Sequence, residues 1–168
     1  MTYMNELLIT HRGTIYPWQC DHMGHMNVMW YTGKFDEASW HLLAQFGLSR
    51  KFLLERNSAL AAVQQNITYK RELHAGDTIT IKSGFLEIKE RIVRIFHRMF
   101  NDETGATAAV TFLTGVHMDA GSRRASPFPE EFMNRACPII AGTDPQPGAP
   151  RRFAPTVPER MEQQRRRS

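Results

Sequence analysis

The most regular hydrophobic pattern in the chain lies in residues 28–46. Apolar residues recur there at spacings of four, three, four and four, namely Tyr31, Phe35, Ala38, Leu42 and Phe46. This spacing places them on one face of an α-helix. Asn27 is a residue type that often caps a helix N-terminus, and Gly47 is typical of the position just past a C-terminus. The pattern predicts a long helix with one face in a core.

Five further segments have the composition and alternation of β-strands. They are residues 6–16, 60–73, 77–89, 91–102 and 106–119. Short turns join the last four, and connections of this length make neighbouring strands antiparallel. The pattern predicts an α+β domain, in which a curved antiparallel sheet of five or six strands wraps a long central helix.

Segment 91–102 is apolar on both of its faces. One side carries Val93, Ile95 and Met99, and the other side carries Ile92, Phe96 and Phe100. A sheet with one solvated face would instead alternate between apolar and polar residues. One face can cover the long helix, and no second helix of comparable length is predicted for the other. We therefore expect a second copy of the chain to cover it.

Composition limits the class of protein. The chain has 168 residues, 42% of them hydrophobic and 23% charged, which suits one soluble domain, 1–140, with a flexible Pro/Arg-rich tail, 141–168. The formal net charge of +4 comes largely from six arginines in this tail, and no nucleic-acid motif accompanies them. The sequence shows no apolar run of about 18 residues, no secretory signal pattern and only two distant cysteines, Cys20 and Cys137. These features predict a cytoplasmic protein without membrane or nucleic-acid partners.

The polar residues Asp21, His22, His25 and Asn27 lie within seven positions, directly before the predicted helix. Asp21 is either a turn residue or a carboxylate that activates water or attacks an acyl carbon. The two histidines are either metal ligands or organisers of the loop and of a substrate, and the second reading is favoured because no second ligand cluster follows. Cys20 lacks a conventional Cys-His signature. We predict no metal.

The predicted helix start offers a binding site for a carbonyl oxygen. Its first backbone N–H groups, those of Val28, Met29 and Trp30, lack intrahelical partners. Such groups stabilise the oxyanion that forms when a carbonyl carbon is attacked. The sequence thus places a carboxylate and candidate oxyanion donors side by side.

These residues resemble the signature of the hotdog-fold acyl-CoA thioesterases of the 4-hydroxybenzoyl-CoA thioesterase class. The matching stretch is CDHMGHMNVMWYTGKFDEA, and YKRELHAGDTITI is similar to a later family turn. The resemblance covers about residues 8–133. It carries Asp21, Gly24, His25, Asn27, Tyr31 and the pair Glu37-Ala38.

The resemblance implies a hotdog fold that forms dimers edge to edge, often dimers of dimers, with active sites at the dimer interface. Asp21 falls on the catalytic acid and Val28 on the backbone N–H that polarises the thioester. His25 and Asn27 are the side chains available to assist, and coenzyme A is part of the substrate, with no other cofactor. Candidate substrate-binding residues are Gly24, Met29, Tyr31, Tyr69, Lys70, Arg71 and Arg91, with Lys89 and Arg94 as further cations for the coenzyme A phosphates.

Two other functions remain open on sequence grounds. One is a hotdog dehydratase or hydratase acting on acyl thioesters, and the other is an acyl-CoA binding module without catalysis. The sequence also leaves open which acyl group is cleaved, whether Asp21 is a nucleophile or a base, and whether the assembly is a dimer or a tetramer.

Overall fold

The computed structural model describes residues 7–137. In chain order its elements are β1 (Leu8–Thr14), a 3-10 turn (Pro17–Gln19), α1 (Val28–Gln45), α2 (Arg50–Glu55), β2 (Ser58–Tyr69), β3 (Thr78–Ile88), β4 (Ile92–Asn101), β5 (Thr107–Asp119) and α3 (Glu130–Ala136). The proposed tail, 141–168, lies outside the described residues.

All five strands form one antiparallel sheet in the order β1-β3-β4-β5-β2. The tight β3–β4 and β4–β5 connections produce the central hairpins, as predicted. β1 and β2 are the two edge strands. Within residues 7–137, each therefore pairs along one side only.

Helix α1 packs across one face of the sheet. Phe35, Ala38 and Leu42 from its apolar stripe are each 0% exposed. They meet inward side chains of the central strands, such as Ile81 and Val93. Burial of one such large side chain contributes about 1.5–3 kcal/mol. The predicted central helix and the predicted inward face of the sheet are both confirmed.

A chain of buried polar side chains ties α1 to three strands. Thr10 Oγ1 lies 2.6 Å from Ser83 Oγ, which contacts His97 Nδ1, and His97 Nε2 lies 3.0 Å from Ser39 Oγ. Ser39 donates to the Phe35 carbonyl at 2.9 Å, so it must accept from His97 Nε2–H. The ring is neutral, because full burial lowers the pKa of His97 to about 3.

The opposite face of the sheet is only partly exposed. Phe96 and Phe112 pack together with ring centroids 5.2 Å apart. The guanidinium of Arg98 lies over Phe96, at 5.5 Å from the ring centroid. Long cationic side chains thus cover part of the apolar surface that the sequence assigned to a second copy of the chain.

Four details differ from the sequence prediction. The short connection predicted between segments 60–73 and 77–89 does not form a hairpin, because β2 pairs with β5, whereas β3 pairs with β1 and β4. The strand predicted for 60–73 ends at Tyr69, and the short helices α2 and α3 were not predicted. Leu73 is fully buried as a strand residue would be, but its carbonyl accepts a hydrogen bond from Met26 N–H at 2.7 Å. This segment therefore supports the loop before α1 instead of continuing β2.

Candidate active site

The loop before α1 is a closed turn. Cys20 and Met26 form an isolated antiparallel bridge. Between them, the Asp21 N–H donates to the His25 carbonyl at 3.1 Å, and the Gly24 N–H donates to the Asp21 carbonyl at 3.0 Å. Gly24 has φ +84°, a left-handed conformation that glycine adopts without steric cost. The turn thus holds Asp21 close to the N-terminus of α1.

Two donors hold the Asp21 carboxylate. Met23 N–H donates to Oδ1 at 2.9 Å, and the Asn27 side-chain amide donates to Oδ2 at 3.2 Å. The side chain remains partly exposed. A carboxylate oriented in this way can still reach a substrate atom or a water molecule.

Asn27 caps α1 as predicted. Its Oδ1 accepts from Met29 N–H at 3.0 Å, and its backbone carbonyl accepts from Trp30 N–H at 3.0 Å. The prediction of three unpaired N–H groups is therefore wrong for Met29 and Trp30. Among the described residues, no acceptor faces the N–H of Val28. One backbone donor, at the positive end of α1, remains for a ligand.

His25 is close to an acidic residue that the sequence did not single out. Its Nε2 lies 3.7 Å from Glu72 Oε1, and His74 Nε2 lies 4.0 Å from Glu72 Oε2. Both distances exceed that of a hydrogen bond. Glu72 follows β2 and reaches the loop because Leu73 pairs with Met26, a contact that no local sequence pattern indicates.

Large apolar side chains surround the loop. Trp18 is 69% exposed, Met23 68%, Met29 65% and Val28 58%. Trp18 stacks on Tyr16 with ring centroids 4.4 Å apart. An apolar cluster of this kind on a protein surface often marks a binding site or an interface.

Tyr31 and Tyr69, both predicted to bind substrate, pack edge to face at 5.1 Å. Tyr31 is buried, whereas Tyr69 at the end of β2 is 48% exposed. Burial, together with the neighbouring Tyr69, raises the pKa of Tyr31 to about 12. Its hydroxyl is therefore neutral at physiological pH, and Tyr69 presents the more accessible ring.

The predicted cations do not all lie together. Lys70 and Arg71 follow β2, and their N–H groups bond to the Ala108 carbonyl at 2.8 and 3.1 Å. Arg91 lies in the β3–β4 turn, where its carbonyl accepts from His117 N–H at 2.9 Å. Ala108 and His117 are at opposite ends of β5. Lys70 and Arg71 are thus near the loop of their own chain, and Arg91 is at the far end of the sheet.

A second group of ionisable side chains lies between β1 and α1. His11 Nδ1 is 3.1 Å from Glu37 Oε2. Burial lowers the pKa of His11 despite this carboxylate. Lys34 is also buried, at 7% exposure, and burial lowers the pKa of its ammonium, again opposed by Glu37. Glu37, part of the matched signature, is thus placed to offset the cost of burying a lysine.

Residues 7–137 contain neither a cluster of metal ligands nor a membrane-spanning helix. Nowhere in this range do three His, Cys, Asp or Glu side chains come together as a metal site. No helix in the same range is long and apolar enough to cross a membrane.

This geometry, a carboxylate fixed beside the start of the central helix of a curved sheet, defines a class of protein. The model of the Thioesterase-like superfamily matches residues 15–136. The chain belongs to this family, and the predicted class, a hotdog thioesterase, is confirmed.

One protein of known function is similar in sequence to part of this chain. The L-carnitine dehydrogenase/betainyl-CoA thioesterase of Agrobacterium fabrum is 26% identical over 113 residues, which are 67% of this chain and 23% of that protein. The chain thus spans about a quarter of that relative's length.

Two solved structures share the fold. A Staphylococcus aureus protein in complex with CoA superposes with a TM-score of 0.80 at 22% identity, covering 92% of this chain and 100% of that one. A 1,4-dihydroxy-2-naphthoyl-CoA thioesterase from Synechocystis superposes with a TM-score of 0.69 at 18% identity, covering 77% and 95%. At these identities the likeness establishes the fold.

Proposed function

We propose that this protein hydrolyses an acyl-CoA thioester to a free acid and coenzyme A, with Asp21 as its catalytic carboxylate. One observation carries the proposal: the oriented Asp21 side chain lies at the start of α1 with the Val28 N–H, which has no acceptor among residues 7–137, in a chain of the thioesterase-like family. The names of the relatives and the CoA complex of the S. aureus structure support the choice of substrate.

In this mechanism the thioester carbonyl oxygen accepts a hydrogen bond from Val28 N–H. This donor and the helix dipole stabilise the negative charge that develops during attack. Asp21 either attacks the carbonyl carbon and forms a mixed anhydride, which water then hydrolyses, or removes a proton from the attacking water. In both routes the C–S bond breaks and coenzyme A leaves as its thiolate.

Asn27 and His25 have supporting roles in this proposal. The Asn27 amide donates a hydrogen bond to one carboxylate oxygen of Asp21 and so orients the carboxylate. His25, near Glu72, lines the loop and contacts the substrate. Gly24 allows the turn, and Met29 and Tyr69 offer apolar surface to the acyl or pantetheine chain, with Tyr31 packed behind them.

The phosphates of coenzyme A require cations. Lys70 and Arg71 are the exposed cations near the loop of the same chain. Arg91 of the same chain lies at the far end of the sheet. Only the partner's Arg91 could therefore lie near this loop.

We further propose a homodimer formed through β2. This strand has twelve residues and pairs with β5 along one side only within the described chain. Its middle, residues 62–66, is exposed and includes Val63, 58% exposed. A long edge strand with few charges invites pairing with another chain. A two-fold axis near the middle of β2 would join two sheets into one.

The function is tested by measuring thiol release from short, long, branched and aromatic acyl-CoAs. We expect saturable hydrolysis of at least one of them. A change in enoyl-CoA absorbance without thiol release would instead identify a dehydratase or hydratase. Saturable binding without any turnover would identify a binding module.

The dimer is tested by placing like charges on β2. We expect Gln64→Lys with Gln65→Lys to shift the protein towards monomers, because like charges opposite each other across paired strands are destabilising. Analytical ultracentrifugation over a concentration series measures the shift. Thr104→Lys with Asn134→Lys adds the same charge at exposed positions away from β2 and should leave the mass unchanged. If both double variants have the same mass, the dimer does not form through β2.

A further inference from the structure

A cleft of about 270 Å³ opens where β2 begins and β5 ends, and the catalytic proposal does not use it. Ser58, His117 and Asp119 line it together with Arg56 and Ser126. Within one chain it lies far from Asp21, because the loop contacts the segment that follows the other end of β2. Twelve strand residues at about 3.3 Å each span roughly 40 Å.

The cleft faces the side of the sheet that carries α1. Ser58 pairs with Asp119 across β2 and β5, and Leu60 pairs with His117. Paired residues and alternate residues along a strand point to the same side of a sheet. Leu60 packs against the core cluster that contains Leu42 and Leu43 of α1, so the other three residues share this face.

The hydrogen bonds of His117 select the tautomer of its neutral ring. The side chain is 3% exposed, and Nδ1 lies 3.0 Å from the Ser126 carbonyl oxygen and 3.2 Å from Ser126 Oγ. A carbonyl oxygen only accepts, so Nδ1 carries a hydrogen, and in the neutral ring Nε2 then keeps a lone pair. Within residues 7–137 this buried Nε2 has no hydrogen-bond partner.

Ser58 Oγ is a second atom at the cleft that is buried and has no hydrogen-bond partner in the described chain. Leaving either atom unpaired after burial is costly. Together they offer one acceptor, His117 Nε2, and one hydroxyl that can donate. A ligand hydroxyl matches both, because it donates to Nε2 and accepts from Ser58.

Both charged side chains that line the cleft have partners, but only Arg56 is ion-paired. Asp119 accepts from Ser122 N–H at 2.6 Å and from the Asn57 amide at 3.4 Å, and Arg56 lies 3.2 Å from Glu131. Among the described residues that line the cleft, a ligand carboxylate would therefore find no free cation, and it would lie beside the Asp119 carboxylate. This favours a neutral hydroxyl over an anionic group.

We propose that this cleft recognises a hydroxyl group on the acyl chain bound at the partner's Asp21. The proposal rests on the proposed function and on the β2 dimer. In a two-fold antiparallel pairing of β2, the start of one strand lies beside the end of its partner. The end of β2 leads into the segment that supports the Asp21 loop. Each cleft would therefore lie next to the other subunit's active site, on the same face of the joined sheet.

Binding to the Asp21→Asn variant separates recognition from chemistry. Calorimetry would compare ω-hydroxyacyl-CoAs, from short to long chains, with the unsubstituted acyl-CoAs of equal length. At the length that reaches the cleft, we expect the hydroxyl to tighten binding roughly 5- to 100-fold, the effect of two net hydrogen bonds. Adding Ser58→Ala or His117→Phe should each reduce this difference, whereas adding Ser122→Ala should keep it.

Two outcomes would overturn the inference. One is equal affinity for both series at every length, which would mean that the cleft holds only water. The other is a hydroxyl preference that neither Ser58→Ala nor His117→Phe reduces. If the unsubstituted protein releases no thiol while Asp21→Asn still binds hydroxyacyl-CoA preferentially, the hydrolytic function fails and the recognition site stands.

Mixed dimers test whether the partner supplies the cleft. When an Asp21→Asn chain pairs with a Ser58→Ala chain, the intact Asp21 and the intact Ser58 belong to different subunits. If the cleft acts across the interface, the one active site recovers the hydroxyl preference in thiol release. If the cleft acts within one chain, that site shows only the reduced preference, and the proposed arrangement is wrong.

Discussion

Replacing Asp21 by asparagine is expected to lower kcat/KM for acyl-CoA hydrolysis by about 100-fold or more, the loss associated with a missing catalytic base or nucleophile. The substitution keeps the size of the side chain but removes its charge and nucleophilicity. Thiol release measures the effect, and circular dichroism verifies that the helix content of the protein is unchanged.

The matched control for this experiment is Asp36→Asn. Asp36 is an exposed acid on α1, and its replacement removes the same charge without touching the loop. We expect its turnover to stay close to that of the unmodified protein. Equal turnover of Asp21→Asn and Asp36→Asn would remove Asp21 from the mechanism.

The buried ring of His97 should make the protein's stability depend strongly on pH. In the unfolded chain the imidazole has its ordinary pKa of 6.5, and in the fold this pKa is about 3. Between these values the unfolded state binds the extra proton. The free energy of unfolding therefore falls as the pH falls below 6.5, by up to about 1.4 kcal/mol per pH unit from this residue.

Urea denaturation of His97→Leu at several pH values would measure this contribution. At pH 7 we expect the variant to be less stable by about 3 kcal/mol, because Ser39 and Ser83 each lose a buried partner. On acidification its stability should fall less steeply than that of the unmodified protein. His74→Gln, which replaces a half-exposed histidine, is the control and should retain the steep slope. Parallel slopes for all three proteins would show that His97 titrates normally.

Periodic elements could be predicted from the sequence, whereas elements that depend on tertiary contacts could not. The stripe through Phe35 and Leu42 placed α1 within one residue of its observed end. Helix α2, six residues long, is too short to show a helical period. Leu73 is apolar, so the sequence pattern includes it in a strand. In the structure its carbonyl instead accepts a hydrogen bond from Met26 in the loop.

The candidate site shows the same limit. Asp21 and Asn27 were recognisable because their residue types and spacing before a helix have a chemical meaning. The sequence did not reveal that Asn27 would occupy two of the three expected N–H groups and leave only that of Val28. Glu72 and His117 carry no local signal either, because their surroundings come from distant parts of the chain.

The double contact of Asn27 also has a consequence for heat inactivation. One amide group closes the first turn of α1 and anchors the Asp21 carboxylate, so fraying of that single turn releases both. Helix ends open at a lower free energy than the core. The proposed hydrolytic activity should therefore decline on warming while the sheet and the rest of α1 remain intact, at a temperature below that at which the fold is lost.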